Sequence, residues 1–136
     1  MAETIQLTVA APDRQLVDEA VDHIEAPAVD GYMGVLPGHA PLLTSLGPGV
    51  LTFTKGGENT YLALDSGFME VLPTGVRVLA NGASFASEVD MEHARAELDR
   101  ATDQFHEHEH EADIEAAQEA IRVAQAKLEA YQRSKK

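Results

Sequence analysis

The chain of 136 residues contains no cysteine, so neither a disulfide framework nor a thiolate metal site is available, and thiol catalysis is excluded. Basic residues are scarce: ten Lys and Arg stand against 23 Asp and Glu, a formal net charge of -13. Duplex binding draws its affinity from Lys and Arg displacing counterions, so this balance argues against a nucleic-acid partner. Long apolar runs are missing as well, since no segment approaches the ~18 apolar residues that cross a bilayer. The opening residues, Met1-Ala2-Glu3-Thr4-Ile5, bring neither the basic region nor the apolar core of a signal peptide, and a cytosolic chain is expected. Catalytic signatures are lacking too. There is no serine nucleophile motif, no glycine-rich loop followed by Lys-Ser/Thr and no GxGxxG, while Gly47-Pro48-Gly49 is too short and proline-broken to cradle phosphates. Nothing in the spacing of the acids singles out a catalytic pair, so turnover by this chain alone is not expected.

What is present falls into two halves. From residue 4 to about 85 the apolar period is two, as in Ile5, Leu7 and Val9, Leu62 and Leu64, or Val76, Val78 and Ala80. Turn signals such as Gly56-Gly57, Asp65-Ser66-Gly67 and Pro73-Thr74-Gly75 separate these runs, the spacing of an antiparallel sandwich or barrel. Strands are expected near 4–10, 16–27, 33–36, 41–46, 49–55, 60–65, 67–72 and 75–81. Past Ser84 the period changes. Met91, Ala94, Leu98, Ala101 and Phe105 form one helical stripe, and Ile114, Ala117, Ile121, Ala124, Leu128 and Tyr131 form another. Asp90 and Asp113 are suited to cap the two helices. An N-terminal β domain over 1–86 and an antiparallel two-helix hairpin over 87–136 are therefore expected. Alanine recurs in both stripes, so the seam between the helices is thin and buries little apolar area. The hairpin should be held partly by docking on the β domain, and should be able to leave it.

Charge is unevenly placed. Residues 1–89 hold eleven acids against three bases and residues 90–121 eleven against two, whereas from Arg122 onward five bases face Glu129 alone. The basic end suits an acidic surface, on a partner or on its own chain, or simply complements a helix C-terminus. The tract His106-Glu107-His108-Glu109-His110-Glu111, with His93 elsewhere, reads as a solvated hairpin tip. A metal cluster is the alternative, because His106 and His110 would share a helix face at i and i+4.

Between strands lies Gly31-Tyr32-Met33-Gly34-Val35-Leu36-Pro37-Gly38-His39-Ala40-Pro41-Leu42-Leu43, three glycines and two prolines among seven apolar side chains. Glycine supplies backbone angles that other residues avoid and proline fixes φ, so the run is a shaped apolar loop rather than a helix. His39 could bond across a partner surface or to its own backbone.

This run, with Gly47-Pro48-Gly49-Val50-Leu51 and Gly67-Phe68-Met69-Glu70-Val71 after it, resembles the signature of the epsilon subunit of bacterial F-type ATP synthase, the counterpart of the mitochondrial delta and chloroplast epsilon subunits. The resemblance spans nearly the whole chain. It implies a β-sandwich of about ten strands followed by a helical hairpin, placed in the central stalk on the cytoplasmic face of the bacterial inner membrane. The sandwich would contact the gamma subunit and the c-subunit ring, with Asp30, Tyr32, Pro37, His39, Leu42 and Leu43 as contact residues, and would help couple ring rotation to ATP synthesis. The hairpin, with Arg122, Lys127 and Arg133, would extend toward the alpha and beta subunits and inhibit hydrolysis. Tyr32 takes a position where other members can carry an acid, leaving Asp30 to offer a charge to the ring. Some members bind ATP through Ile or Leu, Asp, two variable residues and Arg-Ala. Here Met91-Glu92-His93-Ala94-Arg95-Ala96 stands in that place, so Glu92 and Arg95 imply weak ATP binding or none, and no other cofactor is expected. The competing reading is a free-standing metal- or nucleotide-responsive module.

Overall fold

The computed structural model describes residues 3–107 and 111–135. Ten strands come first: β1 (Ile5–Ala11), β2 (Arg14–Val21), β3 (His23–Ala28), β4 (Gly31–Val35), β5 (Leu42–Leu46), β6 (Gly49–Lys55), β7 (Glu58–Leu64), β8 (Gly67–Leu72), β9 (Gly75–Ala80) and β10 (Ala83–Phe85). A 3-10 turn over Ala86–Glu88 leads to α1 (Met91–Glu107) and α2 (Glu111–Ser134). The strands form one sheet in the order β10-β7-β6-β3-β5-β8-β9-β1-β2, with β4 paired to β3 off that path. It folds over on itself as a sandwich, and Leu7, Ile24, Leu51, Leu62, Leu64, Met69 and Val78 fill the interior.

Three sequence expectations change. The span 16–27 is two strands, because β2 pairs β1 whereas β3 leaves for β4 and β6. The break falls at Asp22, whose N–H donates to the Thr54 carbonyl at 2.8 Å and whose carboxylate accepts the Gly56 N–H at 3.0 Å. The phase of the apolar residues flips there, from buried Val17 and Val21 to buried Ile24 and Ala26, since a shift by one residue exchanges the faces of a strand. Second, the sheet is not wholly antiparallel: β1 lies parallel to β9. Nearly the whole domain separates those strands, so no tight hairpin dictates their direction. Third, β10 is a strand of three residues on the edge of β7, too short to show a period. In the glycine- and proline-rich run, residues 31–35 belong to β4 and only 36–41 form the loop.

The helices pack against each other through Ala94 and Ala101 of α1 and Ala117 and Ala124 of α2, all buried. Asp90 caps α1, its Oδ1 accepting the N–H groups of Glu92 and His93 at 3.0 and 3.1 Å. Asp113 is not a cap, because α2 already begins at Glu111 and places it in the first turn. There its charge still faces the positive end of the helix dipole. A further buried pair on α2, Ala126 and Ala130, rests on Val50 and Ala63 of the sandwich and on Ala86, with Tyr61 packed alongside. The hairpin thus lies down on the outward face of β6 and β7.

Candidate functional site

Strand alternation decides what the rest of the outer surface shows. In β8 and β9, Met69, Val71, Val76 and Val78 point inward and are buried, so Phe68, Glu70, Arg77 and Leu79 point outward. Register sets Phe68 opposite Ser45 on one side and Leu79 on the other, and sets Glu70 between Leu43 and Arg77. Arg77 and Glu70 approach to 3.8 Å. Leu43 is 68%, Phe68 57% and Leu79 54% exposed. Three large apolar side chains therefore stand in water on the sheet face opposite the hairpin, the pattern of a docking surface rather than of scattered exposed residues.

At the edge of this face, residues 36–41 curl over the end of the sandwich. The His39 N–H donates to the Leu36 carbonyl at 3.1 Å, and Gly38 takes φ 86°, the left-handed region that suits glycine. His39 Nδ1 lies 2.7 Å from the carbonyl oxygen of Ala40, so its ring is bonded to its own backbone. Its other nitrogen is the one left for a partner. Leu36, Pro37, His39 and Pro41 face Leu72 and Pro73 across a cleft of about 280 Å³.

The six predicted contact residues are not one cluster. Pro37, His39, Leu42 and Leu43 lie at the loop end of β5. Asp30 sits in the turn between β3 and β4, beside the other end of β5, where the Val29 N–H donates to the Ser45 carbonyl at 3.1 Å. The five residues of β5 put these two ends roughly 17 Å apart. Tyr32 is half exposed, but its hydroxyl accepts the Val50 N–H at 2.9 Å. A Cβ on Gly49 would come within 2.8 Å of that hydroxyl and 2.6 Å of Pro27 Cβ. Gly49 is therefore a close-packing position, and Tyr32 a strut that holds the start of β6.

The basic end of α2 finds its acids on its own chain. Lys127 Nζ lies 3.2 Å from Glu97 Oε2 of α1, Arg133 Nη2 lies 2.7 Å from Glu129, and Arg133 Nη1 reaches Glu25 of β3 at 3.9 Å. His93 Nε2 also meets Glu97, at 2.7 Å. Arg122 is exposed and makes no ion pair among the described residues. Between the sandwich and the hairpin a cleft of about 450 Å³ is lined by Asp65, Glu97, Arg100 and Glu119. Burial raises the Asp65 pKa above the usual carboxylate value; Lys127 nearby opposes the rise, and Glu119 and Glu97 add to it. Glu92 and Arg95 are exposed in the first two turns of α1. His106 lies in the last turn of α1 with its ring edge-on to Phe105, while His108 and His110 lie outside the described residues. Among those described, no three His, Cys, Asp or Glu are placed to hold a metal, and no helix is long and apolar enough to cross a membrane.

Sequence reasoning missed Phe68, Leu72 and Leu79 as surface residues. The signal was available: β8 reads Gly-Phe-Met-Glu-Val-Leu, apolar on both faces, whereas a strand with one wet face should alternate.

Residues 4–86 match the family described as "ATP synthase, Delta/Epsilon chain, beta-sandwich domain". An ATP synthase epsilon chain of Solibacter usitatus is 50% identical over 101 residues, covering 74% of this chain and 75% of that one. That of Desulforamulus reducens is 36% identical over 130 residues, covering 96% of this chain and 98% of the relative. The fold matches a chain in the mitochondrial ATP synthase of Euglena gracilis with a TM-score of 0.81 and 28% identity, over 93% of this chain and 80% of the other. Sandwich, hairpin and sequence agree, and the chain belongs to the family of ATP synthase epsilon subunits.

Proposed function

We propose that the chain is a non-catalytic subunit of the central stalk, whose sandwich docks on gamma and on the c-subunit ring and whose hairpin restrains ATP hydrolysis when it extends toward alpha and beta. The observation that carries this reading is the unequal treatment of the two outer faces. One is sealed by α2 through alanines, and the other leaves Leu43, Phe68 and Leu79 in water beside the 36–41 loop. Apolar area of that kind is removed from water by a partner at roughly 25 cal/mol per Å². The two separated groups of predicted contacts give two docking points: the loop, with Pro37, His39, Leu42 and Leu43, for gamma, and the turn at Asp30, with Tyr32 behind it, for the ring. The subunit reaches the cytoplasmic face of the membrane only through those partners.

The alanine seam and the small seat on the sandwich support a hairpin that can leave. Arg122, exposed already, and Arg133, freed from Glu25, would then present the basic end to acidic surfaces of the catalytic subunits, with Lys127 beside them on α2 and still paired to Glu97 of α1. Glu92 and Arg95 alone offer ATP little, and binding to the isolated chain is weak or absent, with Kd above about a millimolar. The deciding experiment compares ATP hydrolysis by the reconstituted complex carrying the full chain with one carrying a chain stopped after Ser87. Faster hydrolysis with the shortened chain, at undiminished coupling, is expected; equal rates would remove the inhibitory role. Pull-down of gamma by Phe68→Glu and by the unchanged chain tests the docking face, and undiminished capture would sink it. Failure of the unchanged chain to capture gamma would favour a free-standing metal- or nucleotide-responsive module.

A further inference from the structure

The segment joining sandwich to hairpin is held twice before it becomes helix. Arg14, the first residue of β2, spreads its guanidinium over Glu88, with Nη1 2.8 Å from Oε2 and Nη2 2.7 Å from Oε1. Two such parallel N–H···O bonds add geometric specificity to charge, which a single exposed contact lacks. Arg14 Nη2 also reaches the Ala83 carbonyl at 3.4 Å, and Glu88 Oε1 accepts the Phe85 N–H at 2.8 Å. One ion pair thus gathers the start of β2, the edge strand β10 and the 3-10 turn into one unit, although its partners are 74 residues apart in sequence. The second restraint follows at once, in the cap that Asp90 places on α1. Only Val89 lies between them, in an extended conformation with φ -74° and ψ 124°, its N–H donating to the Ala86 carbonyl at 3.2 Å.

We propose that the Arg14–Glu88 pair is a hinge stop, which makes residues 83–88 part of the sandwich and leaves Val89 and Asp90 as the place where the backbone turns when the hairpin swings. The clamp stands on the geometry above; the swing rests on the proposed mobility of the hairpin. The consequence is mechanical. Rotation about one or two residues carries α1 and α2 along a defined arc, as hinges at element ends do. A linker freed from Ala83 onward would let the hairpin wander and would lower its effective concentration at any one docking site. Ala86 is the only buried residue of the turn and packs in the hairpin seat, so once the hairpin leaves that seat the Arg14–Glu88 pair is the side-chain contact that still ties the turn to β2.

Two measurements on the full chain test this. Amide exchange is followed at Phe85 and Val89 in the unchanged chain, in Arg14→Ala and in the charge swap Arg14→Glu with Glu88→Arg. Arg14→Ala is expected to speed exchange at both amides roughly three- to ten-fold, the range of a well-formed exposed ion pair, and the swap to recover most of it at Val89 alone, since an arginine at position 88 cannot accept the Phe85 N–H. The chain has no cysteine, so spin labels can be placed singly by substitution. The distance between labels at Glu58→Cys and Ser87→Cys is expected to stay narrow in the unchanged background and to broaden with Arg14→Ala. Exchange at Phe85 and Val89 that ignores Arg14 would overturn the clamp. A label at Ser87 that moves together with one at Asp103→Cys in the unchanged background would overturn the hinge position. A label at Asp103 that never moves relative to Glu58 would refute hairpin mobility, and the exchange data would still decide the clamp.

Discussion

At the scale of single residues, the side chains that matter most are those with two demands on them. Tyr32 stands at the turn expected to meet the ring, yet its hydroxyl serves the Val50 N–H. Tyr32→Phe leaves that N–H without its partner and should cost about 1 kcal/mol, whereas Gly49→Ala drives a methyl group into Pro27 and the Tyr32 hydroxyl and should cost about 1–3 kcal/mol. Denaturant unfolding of the full chain measures both, and the double variant is expected to cost less than the two together because one clash partner has gone. Glu88 also has two demands. The Arg14 guanidinium and then the Phe85 N–H hold its carboxyl below the usual glutamate range. A depressed carboxylate pKa contributes stability that is present above the unfolded value and lost as pH falls through the folded one. A side-chain carboxyl titration by NMR should place the Glu88 midpoint below that of an unfolded glutamate, and Arg14→Ala should move it upward. A midpoint that does not respond to Arg14 would contradict the assignment.

At the scale of elements, the two helices differ in what holds them. Helix α1 is fixed by its cap and by the alanine seam with α2, and α2 in addition carries the stripe that seats the hairpin. Asp90→Ala removes the acceptor of two first-turn N–H groups and should cost about 1 kcal/mol of helix stability. Faster amide exchange confined to the start of α1 is the expected result, with the strands unaffected. Strand direction and strand count belong to this scale too. The split at Asp22 was visible in the phase of the apolar residues on either side of it. The parallel pairing of β1 with β9 was not, because a period of two fixes which face a side chain takes and says nothing about which distant strand lies alongside.

At the scale of the molecule, two cores of unequal size meet. The sandwich interior is built from Leu, Ile, Val, Met and Phe of nearly every strand, whereas the seat of the hairpin consists of Val50 and four alanines, with Tyr61 packed against it. If the hairpin leaves as proposed, so small a seat should open without unfolding the sandwich. Ala130→Leu enlarges a fully buried residue of that seat and should cost about 1–3 kcal/mol of docking, faster exchange appearing in α2 while the strands keep their protection. Equal loss in both would mean that the two cores unfold as one. The ion pair from Arg133 to Glu25 adds to the seat, whereas that from Lys127 to Glu97 ties α2 to α1; being partly exposed, both should weaken with salt.

The sequence alone determined the division into strands and helices, the alanine seam, the cap at Asp90 and the shaped loop around His39, because each rests on spacing or on backbone chemistry local to a few residues. Through the motifs of that loop it also determined the family. Tertiary structure decided what local pattern cannot reach. It turned the basic end of α2 toward Glu97 and Glu25, made Gly49 and Tyr32 parts of one joint, and set the predicted contacts at two ends of a strand. Above all it brought Arg14 to Glu88 across most of the chain. The reason is the same in each case: these contacts join residues far apart in sequence, and only the folded path of the backbone brings them together.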